Sequence, residues 1–370
     1  MQRGPTARLK ILALLTAASI WAGQTQSPGR SAIRELRFSP DGRYILAQDA
    51  SGITVLAVTP LAVLFRIPAE DATDVQFTRD SQSLVLLAGG TRVDPAEIKY
   101  SNSGARVERW SIADRAREMH DLPPHACAEQ KLSPDGRVLV CDDVFDTLWL
   151  IDTNSGAVIL RKDAFGTPEY GWKRASVMLA FSPDSRYVIA AMQERFVHAP
   201  VPDIDLAPKQ WWNARAIAWD LQSANPLPLR DHLDVLVASA VIHRFRERRD
   251  RRRYVTFVAP DRLLVSDLLN ATKGHVKAAL LEFPSGRLLS NPVLPAGELL
   301  PAADPNFVVV RLTGRDEAAA VELNTGQRIL TDTPALDVFG DHYVAETEAG
   351  SVGLYEHGKG LQATIDVHQR

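Results

Sequence analysis

At 370 residues the chain exceeds one ordinary small domain, so two domains or one large repeat array is required. Its 45% hydrophobic and 24% charged content is that of a globular protein, and no apolar run beyond the N-terminal segment is long enough to cross a membrane. A formal net charge of −3 argues against a dedicated nucleic-acid binder, which needs a broad basic surface.

Residues 1–23 read as a signal peptide. Arg3, Arg8 and Lys10 give a positive start, Ile11 to Ile20 an apolar run too short for a membrane span, and Ala22 and Gly23 small residues for cleavage. Removing this segment leaves about 345 residues with a charge near −6 and predicts export to the periplasm or the exterior. Residues 24–31 form an N-terminal extension.

From residue 32 the chain repeats a phrase. Phe38-Ser39-Pro40-Asp41-Gly42-Arg43 returns as Leu132-Ser133-Pro134-Asp135-Gly136-Arg137 and as Phe181-Ser182-Pro183-Asp184-Ser185-Arg186. Looser copies start at Phe77, Val258 and Ala303. Each is a tight reversal between apolar runs: Pro sets φ at the first corner, Asp accepts the local amides, and Gly takes a positive φ. A second set of turns follows each phrase, at Asp152-Thr153-Asn154-Ser155-Gly156, Phe283-Pro284-Ser285-Gly286 and Asn324-Thr325-Gly326.

Counting both turns gives seven units, near residues 32–70, 71–124, 125–173, 174–232, 253–297, 298–336 and 337–370. Four short strands per unit at a period of about 40 residues predict an all-β fold, a seven-bladed β-propeller of four-stranded antiparallel blades. The seventh unit holds all four of its own strands, so no strand should be shared between the first and last blades. Residues 24–31 are a candidate clasp.

Cys127 and Cys141, the only two cysteines, flank the turn of the third unit. Export favours a disulfide between them, while two small hydrophobes in a packed sheet is the other reading, and one residue of register separates the two.

The Ser-Pro-Asp-Gly turns and the dipeptide Trp219-Asp220 resemble the WD-repeat-like propellers, including bacterial exported members. Trp110-Ser111 is a half match, and the Gly-His element of eukaryotic members is missing. The resemblance implies the propeller scaffold and carries no catalytic residues with it.

Three connections are longer than their counterparts, and in a propeller all three emerge on one face. The first, Gly89 to Ala105, is polar and contains Tyr100. The second, Gln193 to Asn213, contains His198, Asp203, Asp205 and the pair Trp211-Trp212. The third, residues 233–252, reads as a short helix between blades four and five that ends in an arginine run including Arg244 and Arg246. Each has a structural reading: prolines stiffen a cover, tryptophans pack a loop down, and arginines alternate with Glu247 and Asp250 on a solvated helix end. Long loops on one side of a rigid scaffold are also where binding residues gather.

Phosphate loops, paired-histidine zinc signatures, nucleophile elbows and calcium loops are absent from the sequence, so no metal, cofactor or catalytic residue is assigned. The repeat-turn aspartates belong to turn formation. The expected function is an exported binding module offering its loop-rich face to a protein or peptide, with a small molecule also open. The alternative is an exported enzyme in the central funnel: a hydrolase, lactonase or quinone-dependent oxidoreductase by fold analogy.

Overall fold

The computed structural model describes residues 33–368 except 70, 90, 95–98, 103–104, 123–126, 144–146, 164–171, 197–211, 224, 228, 230–254, 273–274, 313–316, 334 and 349. The described residues contain no helix, and the helix expected over 233–252 lies outside them. Seven antiparallel sheets stand as the blades of a propeller ring.

Blade one is β1 (Glu35–Phe38), β2 (Tyr44–Asp49), β3 (Gly52–Ala57) and β4 (Ala62–Ile67). Blade two opens with β5 (Ala72–Phe77) and β6 (Ser83–Ala88), detours through a hairpin of β7 (Thr91–Asp94) and β8 (Lys99–Asn102), and resumes with β9 (Arg106–Ser111) and β10 (Arg117–Asp121). Blade three is β11 (Cys127–Leu132), β12 (Val138–Asp143), β13 (Thr147–Asp152) and β14 (Val158–Asp163). Blade four is β15 (Trp172–Phe181), β16 (Tyr187–Phe196), β17 (Trp212–Asp220) and β18 (Asn225–Leu227).

Blade five is β19 (Val255–Ala259), β20 (Arg262–Thr272), β21 (His275–Glu282) and β22 (Leu288–Ser290), with β23 (Val293–Pro295) added along β21. Blade six is β24 (Gly297–Pro301), β25 (Phe307–Leu312), β26 (Ala318–Glu322) and β27 (Arg328–Thr331). Blade seven is β28 (Leu336–Phe339), β29 (His342–Glu348), β30 (Ser351–Glu356) and β31 (Gly360–Asp366).

The core lies between blades. Second and third strands face a neighbour on both sides and are therefore near-continuous apolar runs: β6 reads Ser-Leu-Val-Leu-Leu-Ala and is buried from Leu84 to Ala88. Each such Leu or Val contributes about 1.5–3 kcal/mol by leaving water. Leu46, Val55 and Phe65 of blade one meet Val75, Phe77 and Leu84 of blade two. The outer strands β10 and β22 are exposed throughout.

The ring closes without a shared strand, because blade seven holds all four of its own. Side chains close the seam instead. Asp337 Oδ2 accepts the Phe38 amide at 2.7 Å, and Glu346 Oε1 accepts the Ile33 amide at 3.0 Å. Arg66 Nη1 lies 3.0 Å from His368 Nδ1, and the Phe38 and Phe339 rings meet at 5.8 Å. A related clasp joins blades two and three, where Asp74 Oδ2 accepts the Leu132 amide at 2.9 Å. Phe38 and Leu132 hold the same place, immediately before Ser-Pro-Asp-Gly. The candidate clasp at residues 24–31 lies outside the described residues.

Candidate functional site

The repeat turns gather on one face, and their polar groups serve the turns. Ser39 donates its hydroxyl to Asp41 Oδ1 at 2.7 Å and accepts the Tyr44 amide at 3.0 Å, and Asp41 Oδ1 also accepts the Arg43 amide at 3.1 Å. Ser133 with Asp135 and Ser182 with Asp184 repeat this arrangement at 2.7 and 2.6 Å. Burial pushes the Asp41 carboxyl up, but the Ser39 hydroxyl and the Arg43 amide and guanidinium carry it below its ordinary value. Asp41 therefore stays ionised as a turn anchor.

Where a turn carries Ser in place of Gly, the serine reaches the preceding blade. Ser81 (φ 57°) and Ser185 (φ 60°) accept the amides of Asp41 and Asp135 at 3.3 and 2.9 Å.

The first strands line the central channel, and near its wall a polar group spans blades seven, one and two. Arg37 pairs with Glu35 on its own strand and donates to Gln76 of blade two. Asp74 accepts the Val75 amide at 3.0 Å and the Gln76 side-chain amide at 3.1 Å besides clasping Leu132. Asp337 accepts three amides, from Phe38, Ala303 and Val338, at 2.7, 3.0 and 2.8 Å. The contacts that leave their own strand, from Arg37 to Gln76, from Asp74 to Leu132 and from Asp337 to Phe38 and Ala303, join one blade to another. The group contains no histidine, and among the described residues no three His, Cys, Asp or Glu side chains are placed to hold a metal ion.

The opposite, loop-bearing face is where the blades stop being alike. In blade one the first three strands have 4, 6 and 6 residues; in blade four they have 10, 10 and 9. Register locates the excess. Phe181 pairs with Val188 beside the repeat turn as Phe38 pairs with Ile45, and the added pairs run away from the turn to Trp172 and Phe196. Four added residues raise the blade by about 13 Å. Blade five rises likewise: β20 runs on to Thr272, which pairs with His275, and β23 buttresses this extension. The hairpin β7–β8 stands on the same face, beside β11.

Two of the positions singled out in the sequence fall among the described residues. Trp212 opens β17 opposite Arg195, and Tyr100 lies in β8 opposite Val93. Trp211, His198, Asp203, Asp205, Arg244 and Arg246 lie outside the described residues. Cys141 is buried and disulfide-bonded. Cys127, the other cysteine, opens β11 one step from the Cys141 neighbourhood: it pairs with Asp143, Gln130 pairs with Cys141, and a bulge follows Cys127.

A concavity lies on the turn face, between blades six and seven, and nothing in the sequence pointed to it. It is a cleft of about 300 Å³ whose lining includes Phe307, Tyr343, Asp304, Glu322, Gln327 and His357. Its residues come from four separate turns, so no local sequence pattern brings them together.

No protein-family model matches the sequence, and no curated protein gives a significant match. Among solved structures, hydrazine synthase of Kuenenia stuttgartiensis aligns with 92% of this chain and 99% of its own, at a TM-score of 0.50 and 12% identity. At that identity the likeness shows the fold alone.

Proposed function

We propose that the chain is an exported binding module of the WD-repeat-like type whose raised, loop-bearing face takes a protein or peptide partner. The observation that carries this reading is the one-sided growth of the ring: blades four and five and the β7–β8 hairpin all extend beyond the common blade height on the same face. Uneven height on one rim makes a wall and a floor, whereas the repeat turns opposite remain short and occupied with their own hydrogen bonds. The described channel groups support binding over catalysis. Asp74 and Asp337 are spent on backbone amides, which leaves neither free as a general base.

Within this reading, Trp211 and Trp212 are the aromatic anchor and the run containing Arg244 and Arg246 its charged surround, a composition common at binding hot spots. The test is the double substitution Trp211→Ala with Trp212→Ala, followed by partner capture and thermal unfolding together. The expected result is binding weakened by about 2 kcal/mol or more with the propeller still folded. Unchanged binding removes the tryptophans from the site.

A further inference from the structure

We propose that the cleft between blades six and seven seats a single pyranose ring of a carbohydrate. The cleft opens on the turn face, so this inference is independent of the loop-bearing face and its partner. Its volume of about 300 Å³ sits at the small end of ligand sites, enough for one six-membered ring with its hydroxyls.

The chemistry of the lining selects the ligand. A sugar ring offers an apolar C–H face and an edge of hydroxyls that both donate and accept. The cleft answers both demands. Tyr343 stacks on Tyr355 at 4.7 Å with only 5° between planes, so one face of its ring is backed and fixed. Tyr343 itself lines the cleft alongside Phe307, and we take these two aromatic rings as the apolar platform of the site.

Around the platform stand groups of both senses. Asp304 uses Oδ1 for the Asn306 amide at 2.8 Å and Glu322 uses Oε2 for the Thr325 hydroxyl, which leaves one acceptor oxygen on each with no bond among the described residues. The side-chain amide of Asn306 is likewise uncommitted and supplies donors. Across the seam Gln327 Nε2 meets His357 Nε2 at 2.9 Å, so these two planar groups orient one another before any ligand arrives. An organic cation would need only the carboxylates and would leave the donors of Asn306 without purpose. A polyol uses all of them.

The experiment is saturation-transfer NMR on the intact protein with methyl β-D-glucopyranoside and methyl β-D-galactopyranoside at about 20 mM, well above a millimolar Kd, with butylammonium chloride as the comparison probe. The expected result is transfer to one pyranoside, strongest at its ring C–H protons. Tyr343→Ala and Asn306→Ala should each cut that transfer at least fivefold, and Tyr343→Phe should retain most of it. Asn306 is exposed, so its variant tests the site even where Tyr343→Ala unfolds the blade. Absence of transfer to both sugars overturns the proposal. So does transfer unchanged in Asn306→Ala, or transfer to butylammonium alone. Loss of the loop-face tryptophans should leave the sugar signal intact, which separates failure of this site from failure of the partner reading.

Discussion

Asp337 lies in the first strand of the last blade and Phe38 closes the first strand of the first blade, and the 2.7 Å bond from the Phe38 amide to the Asp337 carboxylate joins the two ends of the ring. The same carboxylate takes the Ala303 and Val338 amides, so one residue pins blades six, seven and one. Most rings that share a strand close by a full ladder of backbone bonds; here a few side chains carry that duty.

This gives a pH prediction. Burial pushes the Asp337 carboxyl up to about 6, against the pull of its three amide donors and of Arg37. A carboxyl raised above its unfolded value binds its proton more tightly when folded. Its stabilising contribution is therefore complete below about pH 4 and is lost as pH rises through about 6. A rise of about two units corresponds to about 3 kcal/mol. Thermal unfolding of the wild type and Asp337→Asn from pH 4 to 8 isolates it: between pH 5 and 7 the wild type should lose stability relative to the variant. A wild type that gains relative stability over that interval would show that the amides outweigh burial.

The repeat turns make a second prediction, from two glycines of nearly equal backbone. Gly136 (φ 68°) and Gly326 (φ 72°) both adopt the left-handed conformation that costs an L-residue about 1 kcal/mol. Their surroundings differ. A Cβ on Gly136 would overlap the Val85 side chain of blade two, whereas one on Gly326 meets nothing within 4 Å. Gly326→Ala should cost about 1 kcal/mol, and Gly136→Ala about 3 kcal/mol because overpacking adds to strain. Urea unfolding of the two variants decides it, and equal losses would mean that blade two yields to the new methyl group.

The architecture was legible because propeller blades are local. Apart from the β7–β8 detour and β23, the described strands of a blade pair with their sequence neighbours, so the turn at Ser133-Pro134-Asp135-Gly136 and the turn at Asp152 to Gly156 delimit strands that pair with one another. What joins blades was not legible. Asp74 to Leu132 and Asp337 to Phe38 span 58 and 299 residues, and an acid on an inner strand carries no mark of the amide it will meet. The sugar-sized cleft was hidden for the same reason, since Asp304 and His357 come together only when two blades dock. Insertions at blades two and four could be measured from turn spacing, but the growth of blade five could not. Leu263 to Thr272 reads as an unremarkable apolar-polar stretch, and only the pairing of Thr272 with His275 reveals a taller hairpin.

Trp219 provides the last prediction. It stands at the end of the third strand of blade four, fully buried among Leu148, Leu150, Leu179, Val188 and Ala190. Its neighbour Asp220 is well used, accepting Arg186 at 3.1 Å and the Gln222 amide at 2.9 Å. The indole N–H of Trp219 is not: it has no hydrogen-bond partner among the described residues. An unsatisfied buried donor costs about 1–3 kcal/mol, while the ring itself contributes through burial and contact. The two contributions separate by substitution. Trp219→Ala removes the ring and should cost about 3–5 kcal/mol through the cavity it leaves. Trp219→Phe keeps an aromatic ring, discards the stranded N–H, and should fall within about 1 kcal/mol of the wild type, since the lost donor penalty offsets the smaller ring. Denaturant unfolding of both variants gives the comparison. A Phe variant as unstable as the Ala variant would mean that the indole N–H does hold a bond within the blade.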